Sequence, residues 1–170
     1  MTCIKKIKCY FDNMKNKKKN NVIVNSEILK NKYFLIVDDN KINIKIIKKF
    51  LELLNIKKKH IFCAENGIVA LNMCEQNIFD VIISDIEMPM CDGFQLENLL
   101  RKSKINKNND VPIIFMTASN DQFILNKIKI NDNPYLLKPI NKNKLHALLI
   151  ESIINNEIKS FDNKNIFFGV

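Results

Sequence analysis

The stretch Val81-Ile82-Ile83-Ser84-Asp85-Ile86-Glu87-Met88-Pro89-Met90-Cys91-Asp92-Gly93 carries an uncharged branched run, then a carboxylate, then a turn-forming segment. Such a run, bounded by polar groups, reads as a buried strand over Val81–Ser84. Three other stretches share the design. Phe34-Leu35-Ile36-Val37 ends in Asp38-Asp39, Ile113-Ile114-Phe115-Met116 in Thr117, and Tyr135-Leu136-Leu137 in Lys138-Pro139. Taken singly, an Asp pair is more often a helix cap, a Thr structural, and Lys-Pro a turn. Their occurrence together, each at a strand end, carries the information.

Helical patterns separate these strands. Ile44, Ile47, Phe50, Leu51 and Leu54 share one face of a helix over Asn43–Asn55. A second strand is expected at His60–Ala64, and Asn66-Gly67 turns into a helix carrying Val69, Ala70, Leu71 and Met73. Further helices are expected at Phe94–Lys102, at Asp121–Ile130 and around Leu145, Leu148, Leu149, Ser152 and Ile153, with the fourth strand at Pro112–Met116. Alternation of this kind, with strands apolar throughout, implies a parallel sheet covered on both faces. In such sheets the functional cleft lies beyond the C-terminal strand ends. Every polar group named above falls at or just past one of those ends.

Three carboxylates converging there repel one another unless a cation is present. A small hard ion, Mg2+ or alternatively Mn2+, resolves this by taking one or two carboxylates and keeping several waters. Asp39 and Asp85 are the expected ligands, with the backbone carbonyl of Glu87 as a third protein oxygen and Asp38 acting through water or tuning the ion. A metal-held carboxylate can serve as nucleophile toward phosphorus, forming an acyl phosphate. Lys138 brings a point charge to the transferred oxygens and the Thr117 hydroxyl a hydrogen bond. Pro139 fixes the backbone after the lysine, through a cis bond.

Val37-Asp38-Asp39-Asn40, Ser84-Asp85-Ile86-Glu87-Met88-Pro89, Asp92-Gly93, Met116-Thr117-Ala118 and Leu137-Lys138-Pro139 together resemble a response-regulator receiver domain of two-component phosphorelays. The resemblance covers roughly residues 32–155. It implies a flavodoxin-like (βα)5 fold, a doubly wound parallel five-stranded sheet in the order 2-1-3-4-5. It also implies phosphorylation of Asp85, an acidic pair Asp38 and Asp39, Thr117 as switch hydroxyl, Lys138 as phosphate contact, and Tyr135 as the aromatic that follows phosphorylation. The implied donor is a histidine kinase or a histidine phosphotransfer protein. Asp38-Asp39-Asn40 with Asn43 resembles receivers of hybrid histidine kinases, so the chain is expected to be a stand-alone receiver or part of such a kinase. A homodimer through the last strand and helices is a further implication. Glu87 and Ser119, two residues past Asp85 and Thr117, are expected to tune phosphoryl lifetime. Two segments depart from the family pattern: Cys91 within the Met-Pro-x-x-Asp-Gly turn, where plain packing is the expected role, and Asn131-Asp132-Asn133-Pro134 before the fifth strand.

Composition bounds the rest. Of 170 residues 46% are hydrophobic, enough for one sizeable core. The net charge of +9 is concentrated in the first 32 residues, where Lys5, Lys6, Lys8, Lys15, Lys17, Lys18, Lys19, Lys30 and Lys32 face only Asp12 and Glu27. Residues 1–31 are read as a flexible basic extension and 156–170 as a short tail. Ile4, Ile7, Tyr10, Phe11 and Met14 are spaced as in a basic amphipathic helix, so weak membrane contact is an alternative for this segment. Nucleic-acid binding is disfavoured because no aromatics interleave with the lysines. Five cysteines without CxxC or Cys/His spacing suggest reduced thiols and a cytoplasmic setting rather than zinc or disulfides. A haloacid-dehalogenase-type phosphatase would place its nucleophile after the first strand with a second Asp two residues on, and adjacent Asp38-Asp39 does not match. No phosphate loop suits a flavin.

Overall fold

A computed structural model describes residues 28–103, 106–118, 122–130 and 132–166. The elements are β1 (Phe34–Val37), α1 (Lys41–Leu53), β2 (Ile61–Ala64), α2 (Gly67–Gln76), β3 (Val81–Asp85), α3 (Gly93–Lys102), β4 (Ile113–Thr117), α4 (Gln122–Ile130), β5 (Tyr135–Leu137) and α5 (Lys142–Ile166). All pairings are parallel, and the sheet order is β2-β1-β3-β4-β5. This is the doubly wound fold expected from the sequence.

The strand pleat divides the core in two. Phe34, Ile36, Val81, Ile83, Ile114 and Met116 face the layer holding Ile47 and Leu51 of α1 and Leu145, Leu149 and Ile153 of α5. Leu35, Val37, Ile82, Ile113 and Phe115 face Ala70 and Cys74 of α2, Leu96 and Leu100 of α3, and Ile128 of α4. Each fully buried Leu, Ile or Phe contributes about 1.5–3 kcal/mol, so strands without charges are what a sheet covered on both faces demands.

Several boundaries differ from the sequence expectation for identifiable reasons. Helix α1 begins at Lys41 rather than Asn43 because the Asn40 side chain accepts from the Ile42 N–H and caps it. It stops before Asn55, whose positive φ of 62° places it in the left-handed region. There the Asn55 N–H donates to the Glu52 carbonyl and the Ile56 N–H to Leu51, a Schellman closure. Helix α5 runs on to Ile166, since no Gly or Pro interrupts it. Packing extends beyond residues 32–155 at both ends. Leu29 is fully buried, and Lys32 Nζ bridges Asp80 at 3.1 Å and Glu157 at 2.9 Å. The basic segment Ile4–Met14 lies outside the described residues, as does Ser119.

Buried Asn108 is a polar keystone that sequence reasoning missed. Its Nδ2 donates to the carbonyls of Cys74 and Asn77, each at 2.7 Å, and its Oδ1 accepts from the Phe79 N–H at 2.8 Å. One amide thus satisfies the C-terminus of α2 and the chain leading into β3. Removing it orphans buried backbone groups worth about 1–3 kcal/mol each. Asn108→Ala is expected to lower unfolding free energy by roughly 2–4 kcal/mol in urea titrations.

Candidate functional site

The C-terminal ends of β1, β3, β4 and β5 meet at one rim. Asp38 follows β1 directly and is fully buried; Asp85 is the last residue of β3 and 5% exposed; Asp39 faces solvent. Each of the three carboxylates offers an oxygen within 4.8 Å of the others. Lys138, just past β5, sends its ammonium into the cluster, with Nζ 2.6 Å from Asp85 Oδ2 and 3.0 Å from Asp38 Oδ2. The Lys138–Pro139 bond is cis, as expected.

Local structure accounts for each placement. The backbone N–H of Lys138 donates to the Thr117 carbonyl at 2.8 Å, continuing the β4–β5 ladder beyond the last strand residue. Asp38 is held by Asn40, whose N–H donates to Oδ1 at 2.8 Å, and by Asn43, whose amide reaches both oxygens at 3.1 and 3.0 Å. Beyond β3 the chain turns at Met90, at φ 68°, into α3. There Asp92 and Gln95 form a reciprocal capping box. This turn is pinned from two sides. A Cβ on Gly93 would lie 2.4 Å from the Asp85 carbonyl, and one on Gly67 would lie 2.5 Å from Cys91 Sγ. Glycine at 93 therefore lets α3 start directly against the strand end that bears Asp85. Cys91 is a packing residue, its thiol pushed up by burial and further by Asp92.

Electrostatics reflect the crowding. Burial pushes the Asp85 carboxyl above its ordinary 3.8. The hydrogen bond and charge of Lys138 and the Glu87 backbone N–H pull it down without cancelling that effect, and the Asp38 charge adds to the rise. For Lys138 burial works downward, but hydrogen bonds and charge from Asp85 and Asp38 prevail and hold the ammonium above 10.5. Thr117 closes β4 and is fully buried. Tyr135 lies half-buried against the α2–α4 layer, its ring 5.3 Å from Lys144 Nζ. The arrangement unites Asp38, Asp39, Asp85 and Lys138 and brings the Glu87 backbone to the Asp85 carboxylate. Tyr135 stands one strand away, opposite Phe115 in register. A cavity of about 570 Å³ lined by Phe94, Glu97, Arg101 and Lys127 lies between α3 and α4 instead. Converging oxygens, not volume, mark the chemical site.

The model of the response regulator receiver domain matches residues 34–150. The chain belongs to that family. It is a receiver domain of two-component signalling. It is 32% identical over 154 residues to a probable transcriptional regulator, ycf27, of Cyanidium caldarium, covering 85% of this chain and 57% of that protein. It is also 32% identical over 123 residues to the peroxide stress-activated histidine kinase mak1 of Schizosaccharomyces pombe, covering 71% of this chain and 7% of the kinase. The chain thus spans about half the length of regulator relatives and a small part of kinase relatives. The receiver domain of a Pseudomonas aeruginosa PAO1 sensor histidine kinase superposes with TM-score 0.62 at 28% identity, covering 72% of this chain and 97% of that one. That structure carries a magnesium ion coordinated in its active site cleft. Among the described residues no helix is long and apolar enough to cross a membrane.

Hard carboxylate oxygens, one exposed to solvent and two buried, fit a magnesium ion by donor type. A carboxyl raised above its unfolded value keeps its proton more tightly in the native state. Its ionisation therefore costs stability as pH rises from 3.8 through the native value, and that stability stays lost above it. The raised Lys138 has the same sign in a higher pH window, contributing stability below 10.5 that disappears as pH rises through its native value. Asp85→Asn is accordingly expected to raise the melting temperature at neutral pH, in the presence of a chelator, by about 2–6 °C. The advantage shrinks as pH falls toward 3.8, and scanning calorimetry across pH checks both statements.

Proposed function

We propose that this receiver takes a phosphoryl group from a phosphohistidine onto Asp85, with Mg2+ bound by Asp39, Asp85 and the Glu87 backbone carbonyl. The observation that carries the reading is Lys138 Nζ lying between Asp85 and Asp38, where the oxygens of an arriving phosphoryl group need a positive charge. An Asp85 oxygen forms the new P–O bond as the P–N bond of the donor imidazole breaks. The electron pair returns to the ring nitrogen, which takes up a proton from solvent. Asp38 holds Lys138 in place while the lysine follows the transferred oxygens. When bound, the ion neutralises charge on those oxygens.

The acyl phosphate adds about −1.5 to −2 charges at a site already crowded with carboxylates. Thr117, at the end of the strand between β3 and β5, moves its hydroxyl toward the phosphate, and Tyr135 takes up the vacated space. A covalent event of this kind biases a two-state surface near α4, β5 and α5. The donor has a landing face beside the rim. Helix α1 exposes Ile42, Ile46 and Leu53 alongside Lys41, Lys45 and Lys49, an apolar stripe next to a basic one. Whether the chain works alone or within a hybrid histidine kinase, the same face meets the donor.

Incubation with acetyl phosphate and Mg2+ is expected to add one phosphoryl group, read by intact-protein mass measurement and located on Asp85 by borohydride trapping. Asp85→Asn takes up none. Lys138→Ala loses at least about tenfold in phosphorylation rate, the scale of removing one charge that stabilises a transition state. Equal labelling of the wild-type protein and Asp85→Asn would remove Asp85 from its assigned role.

A further inference from the structure

Asp38 differs from its two neighbours in how completely it is bonded. It is fully buried, and four hydrogen-bond contacts from three donor groups converge on its carboxylate. Oδ1 accepts from the Asn40 N–H at 2.8 Å and from Asn43 Nδ2 at 3.1 Å. Oδ2 accepts from Asn43 Nδ2 at 3.0 Å and from Lys138 Nζ at 3.0 Å. A carboxylate has roughly four acceptor directions, so these contacts fill them. Asn43 touches both oxygens, and it alone in the set is a neutral side chain. Its position is set by the first turn of α1, where Asn40 caps the helix.

We infer that Asn43 is a positioning residue that holds Asp38 out of direct contact with the ion and thereby sets a preference for Mg2+ over Ca2+. The inference rests on the reading of Asp38, Asp39 and Asp85 as the magnesium site. Mg2+ keeps several waters and takes one or two carboxylates, whereas Ca2+ takes roughly six to eight oxygens and gains from each further carboxylate. With Asp38 saturated by donors, only Asp39 and Asp85 are free to bind directly, the carboxylate count that suits the smaller ion. With the Asn43 amide removed, a buried carboxylate is left short of donors and turns toward the cation. The site then offers a third anionic ligand, and Ca2+ gains most.

The test is calorimetric titration of the full chain with MgCl2 and, separately, with CaCl2, for the wild-type protein and Asn43→Leu. Leucine matches asparagine in shape and removes both hydrogen bonds. The expected result is a rise of about tenfold in Ca2+ affinity relative to Mg2+ affinity, at a melting temperature that stays high enough for the titration. Asn43→Ser keeps a short donor and is expected to shift the ratio in the same direction by less, which preserves the test if the leucine variant does not fold. A ratio unchanged in both variants, or both affinities falling in parallel, overturns the inference and leaves Asn43 a structural residue. Failure of the wild-type protein to bind Mg2+ at all instead removes the magnesium site itself.

Discussion

The ammonium of Lys138 between Asp85 and Asp38 is the contact on which the geometry of the rim depends. Two unit charges about 4 Å apart interact by about 4 kcal/mol at the effective dielectric of a protein surface. Carboxylates gathered within 4.8 Å therefore strain the fold unless a cation stands among them. Delivering that cation constrains the topology. Lys138 belongs to the end of β5, Asp85 to β3, and β4 lies between them. Adjacent strands sit about 4.8 Å apart, so the lysine must reach across roughly 10 Å of sheet over the end of β4. Thr117 closes β4 at that point and is fully buried.

The second constraint is backbone proximity. Helix α3 starts so close to Asp85 that a methyl group on Gly93 would press on the Asp85 carbonyl. The Gly93 N–H donates to the Ile86 carbonyl at 3.0 Å, and the Gly67 N–H to the Cys91 carbonyl at 3.1 Å. The turn bearing Glu87 is thus tied to both α2 and α3. Its backbone can then present an N–H to the Asp85 carboxylate without a side chain being involved. An exposed residue such as Glu87 thus meets the Asp85 carboxylate through its backbone alone.

Legibility in the sequence tracked the range of each interaction. The strands were readable because a doubly covered sheet forces uninterrupted apolar runs, and Asp38, Asp39, Asp85 and Lys138 were readable because they stand at the ends of those runs. The beginning of α1 lies two residues before the expected Asn43 because the cap at Asn40 is fixed by a side-chain bond to the Ile42 N–H, not by the apolar spacing. The end of α5 was misplaced because nothing in the sequence contrasts the packed turns with those beyond them. The polar keystones were invisible for a different reason. Asn108 bonds to carbonyls 34 and 31 residues away, and Asn133 to Glu97 across 36 residues at 2.8 Å. In a chain rich in asparagine these residues carry no local signature. The Asn131–Pro134 segment, a departure from the family pattern, thus contains an anchor from the β5 approach to α3. Asn43 stands in the sequence as a helix start and as part of a family pattern, and its contacts with both Asp38 oxygens give it a further physical role.

The same unevenness of packing says where a signal can travel. Around the rim, β1, β3 and β4 are buried at every position, and α3 is capped, pinned at Gly93 and tied to Asn133. Helix α4 is held differently. Of its described side chains only Ile128 is fully buried, while Phe123 and Ile130 are 75% and 81% exposed. Beside it a groove of about 470 Å³ runs from Ile86, Glu87 and Met88 at the rim to Phe123 and Ile124. An element fixed by little buried area shifts at low cost, whereas the strands cannot move without opening both cores. Under the proposed reading, charge added at Asp85 meets a rigid frame on the side of β1 and β3 and a loosely docked helix beyond β4. The response is therefore directed toward α4 and Tyr135 by the distribution of buried surface, with no need for a dedicated pathway of side chains.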